Sequence, residues 1–224
     1  MNETVPNTDR FRIFILVLTL LNTIFAALLS GLQVDANIRA DRANRNSQYY
    51  ALLAANELVR IGYQSAYDFE LFSNILKDAQ QSTVMELTAL ELEQAGEEES
   101  AAQLLTQSQV AEARSDQGVT LSLLYNDPRY APSEPGGVPD LEAYLADQSK
   151  APNDFVAQQN AATDDYHRWD GKADAYIAVL SILVIAFFLL GLAQSTTRMR
   201  LFFALSALAV MLIAAVWTGF IMIS

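Results

Sequence analysis

Apolar, charge-free residues fill three long stretches of the chain: 13–34, 175–197 and 201–224. A helix needs about 20 such residues to cross roughly 30 Å of hydrocarbon. Each stretch meets that length, and cores such as FILVLTLLNTIFAALL and LSILVIAFFLLGLA carry nothing that lipid would expel. Transmembrane helices are therefore expected at 13–34, 175–195 and 201–223. They leave an N-terminal tail at 1–12, a short loop at 196–200 and a long extramembrane region at 35–174. The first run exceeds the 7–15 apolar residues typical of a cleavable leader, so it is expected to be an anchor.

Between the first two spans the pattern changes to helical periodicity. Gly62 is the only glycine or proline in residues 35–94, so the first membrane helix is expected to continue into water. Leu52, Ala55, Val59, Gly62, Ala66, Phe69, Ser73 and Leu76 alternate spacings of three and four, and Phe72, Leu58 and Ile75 widen this into a seam expected to face a bundle core. Gly96 before Glu97, Glu98 and Glu99 predicts one helix ending and another beginning, the second running to about Ser115. VTLSLLY at 119–125 fits helix or strand. NDPRYAPSEPGGVP at 126–139, with four prolines, predicts a loop. A short helix is expected at 141–148, and Pro152 is expected to open the last extramembrane helix. On that helix Phe155, Ala162, Tyr166, Trp169, Ala173 and Tyr176 share one heptad frame with Gln159. The expected architecture is all-α, with a stalk formed by 35–61 and 152–174 and a headpiece at 62–151.

Charge sharpens this picture. The chain has 224 residues and a net charge of −12, and residues 35–174 hold 24 of its 26 acidic side chains and 10 of its 14 basic ones. A region this acidic repels nucleic acid and anionic surfaces. Arg10 and Arg12 before the first span, and Arg198 and Arg200 in the short loop, place that side in the cytoplasm by the positive-inside rule. The acidic domain is then expected outside, against the competing signal of Arg39, Arg42, Arg45, Arg168 and Lys172.

Candidate chemistry is sparse. Cysteine is absent, which removes disulfides and thiol catalysis. Asp164 and His167 have the i, i+3 spacing of a metal pair, but one histidine cannot complete a carboxylate–histidine centre. The run from Glu91 to Glu99 lacks calcium-loop spacing, and no phosphate-binding glycine motif occurs. Tyr49, Tyr50, Tyr166, Trp169 and Tyr176 read as stalk core and interfacial belt ahead of a binding slot. Within the spans, Asn22 is expected to hydrogen-bond across a helix interface. Ala27 with Gly31, and Ala215 with Gly219, supply small-residue surfaces for helix packing or assembly. No catalytic residue, metal or cofactor is expected.

One span, a long helical insertion beginning around Gln48-Tyr49-Tyr50-Ala51, and a closing pair of spans with an arginine-bearing loop together resemble a family of uncharacterised bacterial three-span membrane proteins. The resemblance implies a bacterial membrane and carries no activity. The leading expectation is a non-enzymatic scaffold or accessory subunit whose partners are lipid, itself or another membrane protein, with no nucleic acid or small-molecule substrate. An oligomeric pore is the alternative, and a membrane sensor the third class.

Overall fold

The computed structural model describes residues 7–134, 136–196 and 198–223, with side chains from Arg10 onward. Residues 1–6 of the expected tail, Pro135 of the proline-rich loop, Thr197 of the short loop and Ser224 lie outside the described residues. Five helices follow in order: α1 (Asn7–Gln94), α2 (Glu98–Leu121), α3 (Leu123–Asn126), α4 (Leu141–Ser195) and α5 (Arg200–Ile223). Among the described residues there is no strand, so 119–125 is helical apart from an extended Ser122 between α2 and α3. The chain divides into two compact units: Met1–Tyr49 with Gln158–Ser224, and Tyr50–Ala157.

In the first unit, α1, α4 and α5 each contain a stretch long and apolar enough to cross a membrane. Asn22 contacts Leu183, Arg39 lies over Trp169, and Ser47 meets Thr163, so this part of α1 runs antiparallel to α4. The residues buried on α5 are Ala204, Ala207, Ala214, Thr218 and Ile221, at steps of three, four or seven. Meanwhile Leu205, Leu212, Val216 and Phe220 remain 53% to 75% exposed. Small residues inside and large apolar ones outside invert the pattern of a soluble domain. They are the marks of a chain whose helices approach closely and whose outer surface meets lipid. The contacts gather in two clusters, one around Leu29, Tyr176, Val179, Leu183 and Ala214, the other around Ile15, Leu18, Leu190, Ala204 and Ala207.

The second unit packs α1 against α2. Gly96 takes φ +84°, where a side chain would be strained, and ends α1. Its N–H bonds to Glu93 O, and the next N–H reaches back to Leu92 O, satisfying carbonyls that the helix end leaves open. The chain then returns antiparallel: Ser82 and Ser108 share a hydroxyl bond of 3.0 Å, and Ser115 Oγ donates to Ile75 O. Buried α1 residues Asp68, Ile75, Ser82 and Ala89 recur every seven positions, as do Ala101, Ser108 and Ser115 on α2. A strict seven-residue repeat makes paired helices wind left-handedly about each other.

Two expectations are corrected. Pro152 does not open a helix: α4 starts at Leu141 and runs through it. Asp140 Oδ1 accepts from the Ala143 N–H and caps that start. An interior proline costs about 3 kcal/mol, offset here by the burial of Leu141 and Tyr144 on the turns before it. The predicted α1 seam is also displaced. Leu52, Ala55 and Val59 are exposed; of the expected seam Ile75 is buried and Phe69 and Phe72 are half-buried, and the unit also buries Ala54 and Asp68. Ala54 lies two residues from Leu52, about 200° around the helix.

Gly118 tests the close approach. A methyl group built on it would come within 2.6 Å of Ile75 Cγ1, whereas none of the chain lies within 4 Å of one on Gly62. Alanine gains about 1 kcal/mol of helix propensity over glycine, but overpacking beside a stiff, buried isoleucine costs about 1–3 kcal/mol. Gly118→Ala is therefore expected to lower the thermal stability of the full chain in mild detergent, and Gly62→Ala to raise it. Equal gains at both positions would contradict the close helix approach.

Candidate functional site

The second unit places its polar chemistry around two tyrosines. Tyr144 and Tyr130 sit edge-on, with ring centroids 5.4 Å apart, and form a core with Leu124 that Phe69 and Phe72 flank. Asp68 lies buried beneath them. The Tyr144 hydroxyl donates to its Oδ2 at 2.6 Å, and Gln64 Nε2 donates to both carboxylate oxygens at 3.0 and 3.2 Å. Tyr130 donates to Asp147 at 2.5 Å, and Asp147 also accepts from Lys150 at 2.6 Å and from Arg129. Arg129 turns back to Asp127 as well, at 2.8 Å. These bonds fasten the proline-rich loop to the first turns of α4. Asn126 Nδ2 does a similar job at the end of α2, donating to the Val119, Thr120 and Ser122 carbonyls.

The arrangement shifts the affinity of these groups for protons. The Lys150 ammonium, and then the Tyr130 hydroxyl, hold the Asp147 carboxyl down at about 2. Burial first, and then the carboxylates they serve, push Tyr130 and Tyr144 up to about 12. Neither tyrosine is ionised near neutrality. The network orders a core and its loop.

The assembly residues lie elsewhere. Ala27, Gly31, Ala215 and Gly219 are exposed, and a methyl group on either glycine would meet none of the chain. Their small-residue faces are therefore not used for packing within the chain. Asn22 is fully buried and donates through Nδ2 to Leu183 O at 3.2 Å, while its Oδ1 has no partner. The hydroxyls of Thr19, Thr23, Ser181 and Thr218 each donate to the carbonyl four residues back on their own helix. On α4, Phe155, Ala162, Tyr166 and Trp169 are half-buried, and Ala173 and Tyr176 are buried. Trp169 receives Arg39 at 4.5 Å, Lys172 at 5.3 Å and Arg168 at 5.5 Å from its ring. Arg10, Arg12 and Arg198 are exposed, and Arg200 lies over the Phe11 ring.

The exposed side of α1 in the second unit is the largest feature without a role inside the chain. Leu52, Leu58, Val59, Tyr63 and Tyr67 are all more than half exposed, with the equally exposed small residues Ala55, Gly62 and Ala66 among them. From 52 to 67 the only charges are Glu57 and Arg60, which pair with each other at 2.6 Å. Among the described residues, no three His, Asp or Glu side chains gather as a metal-binding group. Comparison with protein-family profiles, with curated proteins and with solved structures finds no match.

Sequence reading missed the Asp68–Tyr144 pair and the Ser82–Ser108 contact. Asp68 and Ser82 stand two heptads apart on a frame whose polar members disguise it, and Tyr144 stands on a short predicted helix with nothing local to mark it as buried. Only the seven-residue recurrence of small and polar residues on α1 and α2 signals them.

Proton affinities fix how the full chain responds to pH. The stabilising contribution of Asp147 is complete above about pH 4 and is lost as pH falls towards about 2. That of Tyr130 and Tyr144 is complete below pH 10 and is lost as pH rises through about 12. Tyr144→Phe leaves Asp68 short of a donor and is expected to cost about 1–3 kcal/mol, while Tyr63→Phe, at an exposed site, changes stability by less than about 0.5 kcal/mol. Thermal unfolding in mild detergent across pH checks both. An unchanged alkaline limb in Tyr144→Phe would contradict the role given to this bond.

Proposed function

We propose that this protein is a non-enzymatic membrane scaffold or accessory subunit that works by assembly, with copies of itself or with another membrane protein. The observation that carries the reading is the exposed face of α1 centred on Leu52, Ala55, Val59, Gly62 and Ala66. It lies on the opposite side of the helix from the residues the unit buries. Covering a large apolar side chain gains about 1.5–3 kcal/mol, so a partner helix on this face has substantial free energy to draw on. The uncharged surface favours such contact, and Ala55, Gly62 and Ala66 let a partner backbone approach. The unused small-residue faces at Ala27 and Gly31, and at Ala215 and Gly219, give the same kind of support within the spans.

The stalk and headpiece organisation belongs to this reading. So does its placement: a bacterial cytoplasmic membrane, with the acidic region outside and Arg10, Arg12, Arg198 and Arg200 inside. Copies held in one membrane share one orientation, so the α1 faces of two copies meet in parallel with like residues opposite.

The absence of cysteine makes the test clean. A membrane-impermeant bis-maleimide added to intact cells is expected to join copies carrying Val59→Cys and to leave Glu112→Cys, exposed on α2 and off this face, unjoined. Native mass spectrometry of the wild type extracted in mild detergent should then give a discrete oligomer or a stoichiometric complex. Joining only after lysis would keep the assembly and reverse the orientation. A strictly monomeric, partner-free species would overturn the proposal.

A further inference from the structure

At one end of the first unit, the start of α1, the end of α4 and the start of α5 enclose a cleft of about 720 Å³. Phe11, Ile15, Leu16 and Ala193 form its apolar wall, and Arg12, Gln194, Thr196 and Arg200 supply its polar lining. The connectivity fixes its depth. Arg12 immediately precedes one apolar stretch, Arg200 immediately precedes another, and Gln194 and Thr196 end the third. All four therefore sit at one membrane boundary, the level of lipid headgroups.

The two arginines are available. Among the described side chains neither has a carboxylate partner, and Arg200 is braced instead by the Phe11 ring, 4.7 Å from its guanidinium carbon. Gln194 adds a carboxamide with no internal bond. Thr196 contributes only acceptor capacity, because its hydroxyl donates to Leu192 O at 2.8 Å. Elsewhere in this unit Arg39 is paired with Asp35 at 2.9 Å, and Arg168 with Asp165 at 3.0 Å. The residues that line the cleft include two arginines and no carboxylate.

We propose that this cleft binds a phosphoryl group, with Arg12 and Arg200 as its cationic jaws and Gln194 as a further donor. A guanidinium fork matches the oxygens of a phosphate, and the lining includes no carboxylate to compete for the pair. The apolar wall beside Ile15 and Leu16 suits the acyl chain of an anionic glycerophospholipid. A soluble phosphate ester would use the same jaws without the wall. Basic pockets between membrane helices at this depth are a known setting for anionic headgroups.

The test uses the full chain in mild detergent and follows lipid retention by native mass spectrometry, with thermal stability as the second readout. Phosphatidylglycerol is expected to be retained and to stabilise the protein, and phosphatidylcholine to do neither. Replacing both jaws (Arg12→Gln with Arg200→Gln) is expected to weaken phosphatidylglycerol binding by about tenfold or more. Arg198→Gln, outside the cleft, should stay within about twofold. The Arg12→Lys with Arg200→Lys variant keeps the charge and should retain part of the affinity, which separates loss of the site from loss of the fold. Millimolar sn-glycerol 3-phosphate that displaces the lipid and stabilises the protein equally would assign the site to soluble phosphate esters. Its failure to do so, with phosphatidylglycerol bound, would assign it to lipid. Equal retention of the two lipids, or unchanged binding by the glutamine variant, would overturn the proposal.

Discussion

Helix backbones in this protein come close because alanine, serine and glycine stand where they meet, and both units depend on that closeness. In the first unit the α5 positions that face inward are Ala204, Ala207 and Ala214. In the second, Ser82 reaches Ser108 and Ser115 reaches the Ile75 carbonyl, bonds too short to form around leucines. Small side chains bury little area, so packing of this kind gains less per residue than a leucine core would. What it offers instead is dispersion contact between backbones and short polar bonds across the interface. Substituting one methyl for a hydrogen at Gly118 is enough to disturb it.

The same economy explains what faces outward. Where inner positions are given to small residues, as on α5, the large apolar ones stand elsewhere on the helix. Along α5 they meet lipid, which welcomes them. Along α1 in the second unit they form the face of Leu52, Val59 and Tyr63, where water does not welcome them. The lipid-facing surface and the proposed assembly surface thus arise from one allocation of residue sizes. The aromatic core of Tyr130 and Tyr144, with its buried Asp68, is the exception. There a loop and the start of α4 are held by large rings and charge-assisted bonds, and the order of the proline-rich segment depends on them.

Much of the fold was legible in the sequence because hydropathy and helix punctuation act locally. Three charge-free runs predicted the three helices able to cross a membrane, and Gly96 with its acidic neighbours predicted the turn between α1 and α2. The heptad of Phe155, Ala162, Tyr166, Trp169, Ala173 and Tyr176 lies on partly or fully buried positions of α4. What misled was the assumption that larger apolar residues mark the packed face. On α1 that assumption selected Leu52 and Val59 along with Ile75, whereas burial went to Ile75, Ala54 and Asp68. Pro152 misled for a related reason: its local cost was visible, and the packing of Tyr144 that offsets it was not. Nothing local announces that Asp68 will meet a tyrosine 76 positions away.

The central claim is that α5 turns small residues inward, against large side chains of α1 and α4, and turns its large apolar residues to lipid. Spin labels placed singly at successive positions from 204 to 218 of α5, in the reconstituted full chain, test it most directly through their relaxation by oxygen. Oxygen partitions into lipid, so its effect should rise at Leu205, Leu212 and Val216 and fall at Ala204, Ala207 and Ala214, with a period near 3.5 residues. A flat profile, or strong relaxation by a water-soluble nickel chelate at the same positions, would contradict the account.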